Sequence, residues 1–186
     1  MAQLDIVQDS NEDFTPYWVS KFRKQFDIFD VNQDGVVTEE EHTVATTERA
    51  KRVLPSWRAK AVYGVMTMSY HTWWSNEYTD FKTFITFDDW IQSFEKDNGY
   101  TSDEVVEFAL DFFHIVDVNC NEELTLKEYS KFLDIFRNTA DIQVIFRAID
   151  RDRNNVIDVK EFSYGMKHFV YDEAADSAAY IFGSRG

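Results

Sequence analysis

The chain has 186 residues, of which 44% are hydrophobic and 17% aromatic, and its formal net charge is -15 at pH 7. A chain of this length can bury a substantial core. The strong negative charge argues against nucleic acid and anionic membranes as partners, because both would repel it.

The first predicted helix begins at Thr15 and Pro16, which are typical of an N-cap and a first helical residue. Apolar residues then recur every three or four positions as far as Phe29. After an acidic segment at residues 30–41, a polar helix is predicted to continue until Pro55 stops it. Two helices are therefore expected to flank residues 30–41.

Residues 30–41 read DVNQDGVVTEEE, which is the ligand spacing of an EF-hand calcium loop. Ca²⁺ takes about six to eight oxygen ligands, so alternate residues of a tight loop turn oxygen atoms inward. Gly35, in the sixth position, allows the positive φ of the sharp turn. The predicted ligands are Asp30, Asn32, Asp34, the carbonyl of Val36, Thr38 through a water molecule, and both carboxylate oxygens of Glu41.

A helix capped by Ser56 is predicted to lead into a degenerate loop at residues 78–89, YTDFKTFITFDD, and a further helix is expected to end near residues 98–99. EF-hands pair back to back through the apolar eighth residue, which is Ile85 here. Lys82 stands where calcium needs an oxygen ligand. This loop is therefore predicted to keep its pairing role and to have lost the metal.

Two further loops match the calcium pattern. In residues 117–128, DVNCNEELTLKE, Glu122 stands where glycine is expected, at a cost of about 1 kcal/mol of backbone strain. In residues 150–161, DRDRNNVIDVKE, the sixth residue is Asn155, and asparagine tolerates a left-handed backbone well. The predicted ligands are Asp117, Asn119, Asn121, the carbonyl of Glu123, Thr125 and Glu128 in the third loop, and Asp150, Asp152, Asn154, the carbonyl of Val156, Asp158 and Glu161 in the fourth.

These units predict an all-α fold of four EF-hand helix–loop–helix motifs, in two tightly packed lobes with short paired strands between the loops. The N-terminal lobe is assigned to residues 1–99 and the C-terminal lobe to residues 100–186. Thr101 and Glu104 form a capping-box signature for the helix that enters the third loop. Glycine and proline are scarce around residue 99, so a compact body is expected rather than a dumbbell. The expected metal content is three calcium ions.

No constellation of side chains predicts catalysis, and we expect a protein that is not an enzyme. The histidines, which lack metal-ligand spacing, are interpreted as surface or packing residues: His42, His71, His114 and His168. The only cysteine, Cys120, excludes an intramolecular disulfide and lies at a non-ligand position of the third loop. The first ten residues lack the order of a signal peptide and no apolar run could span a membrane, so a cytoplasmic location is expected.

The chain resembles the invertebrate sarcoplasmic calcium-binding proteins. The resemblance lies in WVSKFRKQFDIFD before the first loop, in active loops one, three and four around a degenerate second, and in the aromatic tail HFVYDEAADSAAYIFG. It implies a protein, expected to be monomeric, that buffers calcium and often magnesium. It also implies that the tail, with Tyr180 and Phe182, folds into the interface between the lobes.

The chain is also similar to the calcium-regulated photoproteins and luciferin-binding proteins, through PYWVSKFRKQFDIFD and the placing of Phe169 and Tyr171. Those photoproteins have histidines where this chain has Phe22 and Met166, and a terminal proline where it has Gly186. A luciferin carrier without the light-emitting chemistry is the alternative. Such a carrier would need an aromatic cavity, for which the candidate lining is Trp18, Phe22, Trp57, Phe112 and Tyr180.

A calcium sensor is a second alternative, because sensors use the same motif. Sensors expose a methionine-rich groove when calcium binds. This chain has four methionines, of which one is the first residue. The composition therefore favours a closed buffer over a sensor.

Overall fold

Helices account for most of the regular structure in the computed structural model, which describes residues 15–75, 79–94 and 101–172. No helix within these ranges is both long enough and apolar enough to cross a membrane. The α-helices are α1 (Pro16–Phe29), α2 (Ala45–Val53), α3 (Ser56–Trp73), α4 (Phe87–Gln92), α5 (Ser102–Val116), α6 (Leu126–Ile135), α7 (Ile142–Ile149) and α8 (Val159–Tyr171). The strands are β1 (Val36–Thr38), β2 (Phe84–Thr86), β3 (Glu123–Leu124) and β4 (Ile157–Asp158).

Two predicted helix starts are confirmed by their caps. The Thr15 hydroxyl accepts a hydrogen bond from the Trp18 amide at 3.3 Å, with Pro16 as the first helical residue. Thr101 and Glu104 form the reciprocal capping box that begins α5. These caps satisfy amide groups that have no partner inside the helix.

Two helix boundaries differ from the predictions. Ser56 is the first residue of α3 and does not cap it, because Pro55 occupies the N-cap position with an extended backbone. Helix α4 ends at Gln92, earlier than the predicted stop near residues 98–99. Residues 95–100, and with them the predicted boundary between the lobes, lie outside the described residues, as does the tail after residue 172.

The four loops associate in two pairs through short antiparallel strands. Val37 of β1 lies opposite Ile85 of β2, and Leu124 of β3 lies opposite Ile157 of β4. All four side chains are fully buried. These are the eighth residues of their loops, so the predicted back-to-back pairing is confirmed, including the pairing of the degenerate second loop.

Aromatic side chains fill the interior, as their helical spacing predicted. Trp74 stacks on Trp90 with ring centroids 4.6 Å apart in the N-terminal lobe. Phe112 packs against Phe136 at 5.0 Å in the C-terminal lobe. Phe29 meets Phe136 edge to face at 6.1 Å, so the two aromatic clusters form one continuous core.

Side-chain donors of the N-terminal lobe bond to carbonyl groups at the ends of helices in the other lobe. The Trp18 indole donates to the carbonyl of Val170 at 2.7 Å. The Lys21 ammonium, almost fully buried, donates to the carbonyls of Phe169 and Asp172 at 2.7 and 2.6 Å. The last carbonyls of a helix have no partner within it and carry partial negative charge, so donors and cations stabilise them. These bonds fasten α1 to the end of α8.

Replacing Trp18 with phenylalanine should lower the free energy of unfolding by about 2 kcal/mol, because the buried carbonyl of Val170 loses its donor. Urea unfolding followed by circular dichroism measures the change. The control is Trp57→Phe, since Trp57 is 64% exposed and its replacement should change the free energy by less than about 0.5 kcal/mol. Equal stabilities of the two variants would show that the bond between the lobes contributes nothing.

Candidate calcium-binding loops

The first aspartate of each predicted calcium loop organises the loop backbone. One carboxylate oxygen of Asp30 accepts a hydrogen bond from the amide of Asp34 at 3.1 Å, and the other accepts one from Gly35 at 3.0 Å. Equivalent bonds of 3.0 to 3.3 Å link Asn121 and Glu122 to Asp117, and Asn154 and Asn155 to Asp150. The three loops therefore share one backbone shape.

The sixth residue of each loop has the left-handed backbone that the sequence predicted. The φ angles are 88° at Gly35, 64° at Glu122 and 68° at Asn155. A positive φ in glutamate costs more than in asparagine or glycine, so the third loop carries the most strain at this position. The fourth residues are also left-handed, which the sequence reasoning missed: Gln33, Cys120 and Arg153.

The twelfth residue closes the third and fourth loops. One oxygen of Glu128 accepts hydrogen bonds from the amides of Val118 and Asn119 at 3.2 and 3.4 Å. Burial opposes the charge of Glu128, but hydrogen bonds from Thr125, Asn119 and Val118 hold its pKa below the usual value. Glu161 of the fourth loop accepts the corresponding bonds at 2.8 and 3.3 Å. Both glutamates are thus folded over their loops.

The ninth residue of each predicted loop begins the helix that follows. The amide of Glu41 donates to the hydroxyl of Thr38 at 3.3 Å, and the Thr38 hydroxyl donates to the Glu41 carboxylate at 2.9 Å. Thr125 and Glu128 form the same arrangement in the third loop, and Asp158 caps Glu161 in the fourth. The carbonyls predicted at the seventh position belong to Val36 and Glu123, which begin β1 and β3, and to Val156, which precedes β4.

Carboxylate oxygens converge most closely in the fourth loop. Ligand atoms of Asp150, Asp152 and Glu161 all lie within 4.8 Å of one another. Carboxylates this close repel each other, and a divalent cation between them removes that repulsion. Hard carboxylate oxygens are the ligands that Ca²⁺ and Mg²⁺ prefer, so these residues fit the predicted ion. The acids of the first loop are not gathered this closely in the structure.

The first loop is followed by a π-helical turn, Glu40–Val44, before α2 begins. Glu41 lies in this turn and bonds to Thr38, whereas Glu128 and Glu161 also bond to the amides at the start of their loops. Among the described residues, Glu41 therefore makes no hydrogen bond to the start of its loop, unlike the closing glutamates of the other two loops. A π-helical turn adds a residue to the helix, and the spacing of ligands gives no signal for it.

The second loop has a positively charged side chain, Lys82, at a position where the other loops have a predicted calcium ligand. The Lys82 ammonium donates to the carboxylate of Asp89, the twelfth residue. Burial alone would raise the pKa of Asp89, but bonds from Lys82 and Thr86 hold it below the usual value. Its left-handed residues are Asp80 and Phe81, so the sixth residue lacks the backbone shape of the other loops. This geometry favours a loop without metal, although Tyr78, its first residue, lies outside the described residues.

A cavity of about 50 Å³ lies where the two lobes meet. Trp90 and Phe108 belong to its aromatic lining, and Met166 and Phe169 close it from α8. The lining suggested from the sequence is wrong at Trp57, which is 64% exposed. Trp18, Phe22 and Phe112 are buried but do not line the cavity, and Tyr180 lies outside the described residues.

His42 is a polar residue of the cavity wall. Its ring stacks on Phe29 with centroids 4.8 Å apart, and it is almost fully buried. Burial and the nearby charge of Arg49 lower the pKa of His42 to about 3, so its imidazole is neutral. The expectation of a packing role is therefore met. Thr46 and Ala50, four and eight residues further along the chain, are also buried, so the polar composition of this segment gave no signal for its buried face.

Two family profiles match the chain: an EF-hand domain pair over residues 125–168 and a single EF hand over residues 22–41. Aequorin-2 of Aequorea victoria is 29% identical to the chain over 172 residues, which cover 84% of each sequence.

Three solved structures share the fold. The sarcoplasmic calcium-binding protein of amphioxus superposes with a TM-score of 0.66 at 16% identity, over 93% of this chain and all of that one. The coelenterazine-binding protein of Renilla muelleri gives 0.65 at 17% identity, over 91% and 96%. Okadaic acid binding protein 2.1 gives 0.73 at 18% identity, over 92% and 97%.

The paired loops, the helices around them and these matches define a calcium-binding protein built from EF-hands. The chain contains EF-hand domains and has the all-α fold that sarcoplasmic calcium-binding proteins share with photoproteins. The assignment of individual calcium ligands stays a prediction. The variant Glu161→Gln tests it for the fourth loop, and variants of Glu122 test the backbone strain in the third.

The protein should bind three calcium ions, and Glu161→Gln should bind two. The variant removes the charge of the residue that closes the fourth loop, where ligand atoms of three acids, Glu161 among them, lie within 4.8 Å of one another. The matched control is Asp89→Asn, which changes the same position of the second loop and should leave the count at three. Equilibrium dialysis measures the count. Loss of an ion in the control would show that the second loop binds calcium.

Replacing Glu122 with glycine should raise the free energy of unfolding of the calcium-free protein by up to about 1 kcal/mol, because the left-handed backbone present at this position strains glutamate but not glycine. The substitution also removes a negative charge from an acidic loop. Glu122→Gln removes the charge but keeps the strain, so it should be less stable than Glu122→Gly. Equal free energies of unfolding of the two variants, measured with urea, would contradict a role for strain.

Proposed function

We propose that this protein is a cytoplasmic calcium buffer that binds three Ca²⁺ ions, and also Mg²⁺, through its first, third and fourth loops. The observation that carries the proposal is the preformed state of these loops within a closed body. The first aspartates already hold the fifth and sixth amides, and the left-handed residues are already in place. Calcium then completes a site without a large rearrangement.

The bonds between the lobes support a buffer rather than a sensor. EF-hand buffers barely open when calcium binds, whereas sensors open to expose a methionine-rich groove. Here Lys21 and Trp18 fasten α8 to α1, and Met66 and Met166 are buried in the core. Met68 is the exposed methionine among the described residues, and one methionine does not make a groove. We propose no enzymatic activity and a monomeric state.

Binding of magnesium follows from the ligand sets. Mg²⁺ is smaller than Ca²⁺, keeps several water molecules and needs few protein carboxylates. The third loop offers two acids, Asp117 and Glu128, among side-chain ligands that are otherwise neutral. Calcium takes more protein ligands than magnesium, but most of the additional ligands in this loop are neutral. The third loop should therefore prefer calcium over magnesium less strongly than an acid-rich loop does.

A carrier of a small aromatic ligand is the second candidate. The indole N–H of Trp74 is buried without an acceptor, and Trp74 lines the cavity together with neutral His42. An unsatisfied buried donor is costly, and a ligand with an acceptor would relieve that cost. Two proteins of the same fold are named for binding coelenterazine and okadaic acid. The cavity of about 50 Å³ is far smaller than a drug-sized ligand needs, about 300 Å³ or more, and favours the buffer.

Calcium titration by calorimetry, with and without magnesium, tests the buffer. Magnesium should lower the apparent calcium affinity at all three sites through competition, and calcium should produce little fluorescence of a hydrophobic dye. Strong dye fluorescence on calcium addition would favour the sensor.

Adding a coelenterazine-like compound to the calcium-free and calcium-bound protein tests the carrier. We expect no saturable binding to either form. Saturable binding that Trp74→Phe weakens, while Trp57→Phe does not, would replace the buffer with the carrier. Trp57 is the matched control because it is exposed and lies outside the cavity.

A further inference from the structure

Arg58 of α3 reaches from the N-terminal lobe to the third calcium loop. Its guanidinium donates to the carbonyls of His114 and Ile115, the latter at 2.9 Å, where α5 ends. It also donates to the carbonyl of Val118 at 3.3 Å and contacts the sulfur of Cys120 at 3.2 Å. Val118 and Cys120 are the second and fourth residues of the loop.

Arg58 is a buried cation whose charge is directed at this loop. It is 2% exposed, and no described ion pair involves it. Its contacts are with the segment from residue 114 to residue 120 and with the ring of Trp57, which lies 4.4 Å from the guanidinium. A planar guanidinium holds several acceptors in a fixed arrangement, which a lysine ammonium does not.

The N-terminal lobe also bonds to α6, the second helix of the third EF-hand. Arg49 of α2 donates to the carbonyl of Ile135, the last residue of α6, at 2.6 Å. Helix α3 therefore holds the entering helix beside the third loop, and α2 holds the leaving helix at the end away from the loop. Both helices of this hand are bonded to the N-terminal lobe.

The third loop is the one that most needs such support. It has the strained Glu122 in its sixth position, and its side-chain ligands include two acids. The amides of Val118 and Asn119 donate to Glu128, the residue that closes the loop. Arg58 therefore bonds to the carbonyl of Val118, and the amide of Val118 positions Glu128, the ligand that closes the loop.

We propose that Arg58 is a positioning residue that sets the calcium affinity of the third loop from the opposite lobe. It fixes the start of the loop so that Asp117 and Glu128 meet the ion in the right geometry. Groups that orient metal ligands from outside the coordination sphere typically change metal affinity by about 10–100-fold when they are removed. Since Arg58 bonds to residues beside the ligands, we expect roughly the lower end of that range.

If Arg58 acts only through its charge, its replacement should change the calcium affinity in the opposite direction from the change expected if it positions the loop. A positive charge near a calcium site repels the ion, so removing it as a charge alone should tighten binding. Removing it as a positioning group should weaken binding. Arg58→Gln therefore separates the two effects, and Arg58→Lys keeps the charge but loses the fixed arrangement of donors.

The experiment is a calcium titration of the full chain followed by the amide resonances of Gly35, Glu122 and Asn155. Each of these amides donates to the first aspartate of its own loop, so each reports one site. Both Arg58 variants should weaken calcium binding roughly tenfold at Glu122, with little change at Gly35 and Asn155. The control, Arg52→Gln, removes an equal charge from an exposed position near the end of α2 and should change none of the three.

Tighter binding at Glu122 in Arg58→Gln, or unchanged binding in both variants, would overturn the proposal. Equal weakening at all three amides would also overturn it, because that pattern indicates a general loss of stability. The inference rests on calcium binding by the third loop, part of the proposed function. A Glu122 amide that ignores calcium in the unaltered protein would refute that third site and this inference together, whereas a failure seen only in the variants refutes the inference alone.

Discussion

The back-to-back pairing of loops is the constraint on which the rest of the structure depends. Two or three residues of each loop form a strand, and the buried eighth residues Val37, Ile85, Leu124 and Ile157 meet at its centre. A single helix–loop–helix unit leaves an apolar face uncovered, and pairing covers it. This explains why the second loop keeps its strand and its helix cap although Lys82 stands where calcium would need an oxygen ligand and pairs with Asp89. The loop contributes to the fold independently of calcium.

The lobes are joined by a second, different type of interaction. Donors of one lobe, among them Lys21, Arg49 and Arg58, bond to carbonyls at the ends of helices in the other. In the opposite direction, Arg137 of the C-terminal lobe donates a hydrogen bond to the carbonyl of Ile28 in the N-terminal lobe. These carbonyls lack partners within their own helices, and positive groups interact favourably with them. Two of the bonded helix ends, those of α1 and α5, lead into predicted calcium loops, so the interface between the lobes also reaches the first and third loops.

Patterns within one loop or helix and the pairing of the repeated loops were predictable from the sequence, whereas the contacts between the lobes were not. The loop spacing and the cap at Thr15 follow from neighbours in the chain, and the pairing through Ile85 follows from the repeat of the loop motif. The bond from Lys21 to α8 joins residues 148 positions apart, and a lysine on a helix normally indicates a solvated face. His42 is similar: its helix is polar by composition, yet the π-helical turn and the aromatic rings around it place it in the interior.

In the function proposed above, calcium completes three preformed sites in a body that stays closed. A crystal structure of the protein grown with excess calcium would show the ions and the state of the lobes together. We expect three ions, one each in the loops that begin at Asp30, Asp117 and Asp150, with the bonds from Trp18 and Lys21 to α8 intact. A fourth ion beside Asp89, or lobes that have separated at these bonds, would contradict this proposal.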